Sequence, residues 1–127
     1  MDDALEALVI GEKKLDRKLL ADILSSYVRL DKAINNISPL EAWLGIGSDL
    51  KILVYLLARK AMVLLHFDLE AERTTPSEIA RDTNIKLDAV NPLLRKMYAE
   101  GIVDRSKGHR YFVPDDAIER IAERLKQ

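Results

Sequence analysis

Thr75-Pro76-Ser77-Glu78-Ile79-Ala80-Arg81-Asp82-Thr83-Asn84-Ile85, followed by Asp88-Ala89-Val90-Asn91-Pro92-Leu93-Leu94-Arg95-Lys96-Met97-Tyr98-Ala99-Glu100-Gly101-Ile102-Val103, is the stretch that decides the fold. Thr75 and Glu78 stand at the spacing of a capping box, with Pro76 at the first helical position, where its missing N–H costs nothing. A short helix therefore runs from Ser77 to Thr83 with Ile79 and Ala80 inward. Asn84 follows where a tight turn needs positive φ, and Ile85 returns to the core. A second helix starts at Asp88 or at Pro92, carries Val90, Leu94 and Met97 on one stripe, and ends at Gly101. Ile102–Arg105 and His109–Val113 then read as two short strands joined by Ser106-Lys107-Gly108, and Pro114 breaks the second.

Working outward, residues 13–37 space Leu20, Ile23, Tyr27, Leu30, Ile34 and Ile37 at intervals of three and four. That spacing predicts one helix with a single apolar stripe, ending at Asn35-Asn36. The stripe packs either on the chain's own core or on a second copy. Ser38-Pro39-Leu40-Glu41 repeats the capping-box pattern and opens a short helix holding Trp43 and Leu44, closed by Gly45-Ile46-Gly47. Ser48 or Asp49 caps an apolar helix of residues 50–69, predicted to be buried with Arg59 and Lys60 at its surface. At the other end, Asp115 or Asp116 caps a helix with Ile118, Ile121, Ala122 and Leu125 on one stripe.

Composition narrows the chemistry. The chain has 127 residues, 48% hydrophobic and 32% charged, which suits one domain with an extension. It holds no cysteine and two histidines, His66 and His109, which disfavours a thiolate or all-histidine metal site. Neither a phosphate-cradling glycine loop nor an activated nucleophile stands out, since Ser25-Ser26 falls in a helix. The acidic pairs Asp2-Asp3 and Asp115-Asp116 read as helix N-terminal charges. His66 reads as a core or surface histidine and His109 as a solvated turn residue. The expectation is a protein that is not an enzyme, with no metal and no cofactor. Met1-Asp2-Asp3 is unlike the basic start of a secretory signal, and the cations within residues 50–69 argue against a membrane span. A cytoplasmic, soluble protein without membrane contact is expected.

The order of capped short helix, turn, helix and two-stranded hairpin resembles the winged helix-turn-helix family. The residues that carry this are Glu78-Ile79-Ala80, the turn residue Asn84, Glu100-Gly101-Ile102-Val103 at the end of the second helix, and the hairpin. It covers residues 50–114, about half the chain, and looks closest to compact bacterial and archaeal transcriptional regulators. The fold expected is mainly α with a small β-hairpin wing. It divides into an N-terminal helical extension (1–46), a winged helix-turn-helix domain (47–114) and a C-terminal helix (115–127).

In such proteins the second helix of the motif enters the major groove and the wing meets phosphates or the minor groove. The resemblance implies double-stranded DNA as partner, with Lys86, Asn91, Arg95, Lys96, Arg105, Lys107, His109 and Arg110 as contact residues. Asn91 either reads a base, caps a helix beginning at Pro92, or does neither. The net charge of −1 divides into −2 over residues 1–46, zero over 47–75, +2 over 76–114 and −1 over 115–127, so the positive charge sits in the motif. A patch of that size implies a homodimer, with Leu20, Ile23, Tyr27, Leu30, Ile34, Ile37, Ile118, Ile121 and Leu125 as candidate dimer residues. The function expected is a sequence-specific DNA-binding transcriptional regulator. Pro92 and Leu93, at the reading end of the second helix, keep open a protein-interaction module in a replication, transcription or chromosome-organising complex.

Overall fold

The computed structural model describes residues 15–67 and 72–126. Asp2-Asp3 and the start of the predicted N-terminal helix at residues 13–14 lie outside the described residues, whereas the apolar helix expected to run to Leu69 stops at Leu64, with Leu65 as its cap and His66 left-handed at φ 62°. Ten elements follow one another: α1 (Arg17–Ser25), β1 (Val28–Asp31), β2 (Asn36–Pro39), α2 (Glu41–Leu44), α3 (Ser48–Leu64), α4 (Pro76–Thr83), α5 (Leu87–Ala99), β3 (Asp104–Ser106), β4 (Arg110–Phe112) and α6 (Ile118–Leu125), the last preceded by a 3₁₀ turn at Asp115–Ala117.

Four helices, together with β1 and β4, pack on α3. Its residues Ile52 to Ala58 are completely buried, so this helix is apolar all round rather than amphipathic. Each such leucine or isoleucine contributes about 1.5–3 kcal/mol relative to an exposed one. α1, α4, α5 and α6 each lay an apolar stripe on it: Leu20, Ile23 and Leu24 from α1, Ile79 from α4, Val90, Leu94 and Met97 from α5, Ile118 and Ile121 from α6.

The predicted long helix of residues 13–37 is replaced by a short helix and a hairpin. α1 starts where Asp16 accepts a hydrogen bond from the Leu19 N–H at 2.9 Å and stops at Ser25. β1 and β2 then pair antiparallel in the register Val28–Pro39, Arg29–Ser38, Leu30–Ile37, Asp31–Asn36. The sequence from Val28 to Ile37 also alternates: Val28 and Ile37 are buried while Arg29 and Ser38 are exposed, which is the period of a strand. β-Branched Val28 and Ile37 favour it. Asn35 does adopt the left-handed conformation, at φ 53°, but in the hairpin turn and not at a helix end. Asp31 caps that turn by accepting from the Ala33 N–H at 2.9 Å.

The dimer-seam residues change meaning with this. Leu20, Ile23, Ile37, Ile118 and Ile121 are buried in the chain's own core, and Tyr27, Leu30 and Leu125 pack half-buried against it. Of these nine, Ile34 alone is exposed, at 60%. Two further expectations need correction. Ser38-Pro39 belongs to β2, so α2 is entered from Leu40 without a side-chain cap. Gly47 rather than Ser48 or Asp49 is the cap of α3. No helix among the described residues is long and apolar enough to cross a membrane.

Candidate nucleic-acid interface

The local signals of residues 75–101 hold. The Thr75 hydroxyl oxygen accepts from the Glu78 N–H at 3.2 Å, and Thr75 N–H donates back to Glu78 Oε1 at 3.4 Å, closing the capping box. Asn84 caps α4 at φ 59°. α5 then begins at Leu87, with Lys86 as its cap residue and no side-chain hydrogen bond there. Pro92 therefore lies inside the helix. Asn91 is a half-buried interior residue and not a cap, because the helix is already wound one turn before it. Pro92 has no N–H to give the Asp88 carbonyl, a defect that burial of Val90, Leu94 and Met97 on α3 outweighs.

The exposed side of α5 is set by 3.6-residue geometry. With Val90, Leu94 and Met97 inward, Asp88, Pro92, Arg95 and Ala99 line the opposite side, flanked by Lys96, and all five are exposed. Asp88 brings a negative charge to the first turn of the helix, where it favours the helix dipole but opposes a phosphate.

The hairpin β3–β4 pairs Asp104 with Phe112, Arg105 with Tyr111 and Ser106 with Arg110. Its turn holds Gly108 at φ 81° and His109 at φ 55°, so His109 is an exposed turn residue. Thr74 extends the sheet: its N–H donates to the Tyr111 carbonyl at 3.0 Å and Tyr111 N–H donates to the Thr74 carbonyl at 2.7 Å. Tyr111 faces the core at 6% exposure, while Phe112 is half-buried under the Arg73 guanidinium, 4.6 Å from its ring centre.

Two contacts fix the hairpin beside the helices. The Arg105 guanidinium stacks on the Tyr98 ring of α5, 4.8 Å from its centre. Arg110 reaches Glu78 Oε1 at 3.5 Å and donates to the Arg73 carbonyl at 3.4 Å. The expected contact residues thus divide. Lys86, Arg95, Lys96 and Lys107 are exposed on α5, its cap and the hairpin turn. Arg105 and Arg110 are exposed as well but hold the hairpin against α5 and α4. Tyr98, exposed at 42%, was missed by the sequence reading; its place three residues after Arg95 on a helix is the signal that could have found it.

Below this surface lies a polar anchor without any sequence signal. Tyr55, on the buried α3, donates its hydroxyl to Asp82 Oδ2 of α4 at 2.5 Å. Arg81 Nε donates to Asp82 Oδ1 at 2.9 Å, and the Asn36 side chain of β2 also bonds Asp82. Burial works to raise the Asp82 pKa, but hydrogen bonds from Arg81 and Tyr55 and the charge of Arg81 bring it below the usual carboxylate range. The Tyr55 hydroxyl is pushed well above its ordinary range by burial first and then by its bond to Asp82. One carboxylate thereby ties α4 to both α3 and the N-terminal hairpin.

Lys60 is a second correction of this kind. Rather than lying on a solvated face it is 5% exposed, donating to Asp115 Oδ1 at 2.7 Å and 2.8 Å from Glu72 Oε2. It clasps the exit of the hairpin to α3, and Arg59 beside it is half-buried. Trp43, also buried, lines a cleft of about 480 Å³ beside the Asn84 turn, with Lys51 and Lys86 on its walls. Among the described residues no group of three His, Asp or Glu side chains could hold a metal ion. Comparison with known protein families, characterised proteins and solved structures yields no match.

Proposed function

We propose that the chain is a winged helix-turn-helix protein that binds double-stranded DNA sequence-specifically, as a transcriptional regulator acting as a homodimer. The observation that carries this reading is the unit of α4, the Asn84 turn and α5 beside a short hairpin. Together they expose Lys86, Arg95, Lys96, Arg105, Lys107 and Arg110. α5 is the element of a size to enter the major groove, with Arg95 facing outward one turn beyond Pro92; an arginine there can pair with guanine through two hydrogen bonds. Lys107, at the tip of the hairpin, is placed for a phosphate.

A second copy belongs to the reading because so small a cationic footprint gives modest affinity, and two copies double the phosphate contacts. Its interface would not be the stripe expected from spacing, which the core consumes; the exposed apolar residues Ile34 and Leu44 offer a different surface.

Titration of duplex DNA at several salt concentrations tests this. Lys107→Ala should weaken binding evenly across sequences and reduce the slope of log K against log salt by about 1. Arg95→Ala should lower affinity for a selected site by about 1–3 kcal/mol and leave random DNA nearly unchanged. Absence of salt-dependent binding by the parent chain would overturn the DNA reading. One observation favours a second reading, a module that docks on protein: the outward line of α5 begins with Asp88 and Pro92, an acid and a residue without a donor, and Leu87 beside them is 43% exposed. A stable protein complex lost on Leu87→Asp, without DNA binding, would decide for it.

A further inference from the structure

The hairpin carries Arg105, Lys107 and Arg110, and their surroundings differ. Arg110 is paired with Glu78 at 3.5 Å. Lys107, at the turn, has neither an ion pair nor a ring contact among the described residues. Arg105 is held without being neutralised. Its guanidinium lies 4.8 Å from the centre of the Tyr98 ring, and no carboxylate among the described residues pairs with it. The adjacent acid, Asp104, accepts instead from the Arg105 backbone N–H at 2.8 Å.

A guanidinium stacks through its planar face, which leaves its N–H donors at the edge and open to another acceptor. The ring also removes freedom from a long side chain, an ordering that would otherwise be a cost of binding. Both partners sit on anchored elements. Tyr98 belongs to α5, whose Val90, Leu94 and Met97 are buried, and Arg105 is paired in β3 opposite the buried Tyr111. Tyr98 keeps 42% of its surface exposed, so the stacked pair lies open at the junction of α5 and the hairpin. Arg95 is three residues before Tyr98 and therefore its neighbour on the helix surface.

We propose that Tyr98 and Arg105 form a preset seat for one backbone phosphate of duplex DNA, with Tyr98 as a positioning residue that acts through Arg105. The seat rests on the DNA reading and adds to it a role for an aromatic ring. Contacts to phosphate fix the register of a protein on the duplex and leave the bases to other side chains. A phosphate held beside Tyr98 thus sets where Arg95, on the same helix, comes to rest in the groove.

The test titrates duplex DNA at several salt concentrations with the parent chain, Tyr98→Phe, Tyr98→Leu, Arg105→Ala and the double variant Tyr98→Leu/Arg105→Ala. From the strength of a cation over an exposed ring, Tyr98→Leu should weaken binding about three- to fivefold, on selected and random duplex alike. Tyr98→Phe, which keeps the ring, should bind as the parent does. Arg105→Ala should lower the slope of log K against log salt by about 1, and Tyr98→Leu should then add no further loss. A loss from Tyr98→Leu that is the same with and without Arg105, or no loss at all, would overturn the seat and leave the DNA reading standing. No salt-dependent binding by the parent would overturn that reading, and the seat with it. Nitrogen-15 relaxation of the parent without DNA gives a readout that needs no variant to fold. The Arg105 Nε–H should be more ordered than that of Arg95, which has no ring or ion contact among the described residues; equal mobility would overturn the proposal.

Discussion

Replacing Asp82 by alanine should destabilise the chain far more than its place on a short surface helix suggests. Its side chain is 6% exposed and accepts from the Tyr55 hydroxyl at 2.5 Å. Tyr55 has no exposed surface, so its hydroxyl is left buried without this acceptor once the carboxylate is gone. A hydrogen bond to a charged group contributes about 1.5–3 kcal/mol, and an orphaned buried polar group costs about 1–3 kcal/mol. Since these overlap, the expected loss for Asp82→Ala is about 2–4 kcal/mol. Tyr55→Phe leaves Asp82 with Arg81 as partner and should cost only about 1–2 kcal/mol. Arg81, 69% exposed in its side chain, should contribute at most about 1 kcal/mol, because solvent screens it.

The assay is urea unfolding followed by circular dichroism, run as a double-mutant cycle at neutral pH. The double variant should be less damaged than the two single losses together, by about 1–2 kcal/mol. Strict additivity, or an Asp82→Ala loss under about 0.5 kcal/mol, would refute the anchor. pH supplies an independent arm. The folded pKa of Asp82 lies below its unfolded value, so this stabilisation is complete above the ordinary carboxylate pKa of about 4. It fades as pH falls from there through the folded pKa. The gap between the parent chain and Tyr55→Phe should narrow over the same acid range; a gap that widens on acidification contradicts the assignment.

Lys60 yields a prediction of opposite signs. Glu72→Gln with Asp115→Asn strands an almost fully buried ammonium and should cost about 2–4 kcal/mol, reduced from a fully buried pair because both carboxylates are partly exposed. Lys60→Met removes the charge and should stay within about 1 kcal/mol of the parent; the reverse order in urea melts would show that the ion contacts are peripheral. Pro92→Ala restores the missing backbone donor inside α5 and should raise stability by about 1–3 kcal/mol. A loss of stability in thermal melts would mean that Pro92 shapes the local path of the helix.

The candidate site was legible in unequal parts. The capping box of Thr75 and Glu78, the left-handed Asn84, the end of α5 at Gly101 and the hairpin around Gly108 all rest on interactions reaching three or four residues, so the sequence contains both partners. The exposed places of Arg95, Lys96 and Lys107 follow from the same periodicity. The interior position of Pro92 does not, because a proline can open a helix as readily as interrupt one, and packing of Val90 and Leu94 on α3 chose the earlier start. The stacking of Arg105 on Tyr98 and the Arg110–Glu78 contact join residues that meet only after the hairpin has folded back.

By itself, then, the sequence determined the order of local elements from Thr75 to Phe112, the alternation of capped helix, turn, helix and hairpin, though not where α5 begins. It also determined that residues 52–58 must be buried, since no polar face interrupts them. The tertiary structure alone decided the rest. Residues 27–39 fit helical spacing and strand alternation alike, and they became a hairpin that buries Val28 and Ile37 and lets Asn36 reach Asp82. Lys60, read as a surface cation, went inward because Asp115, 55 residues away, supplied its counter-charge. Periodicity records which residues prefer to be covered but not what covers them, and that choice depends on partners distant in the chain.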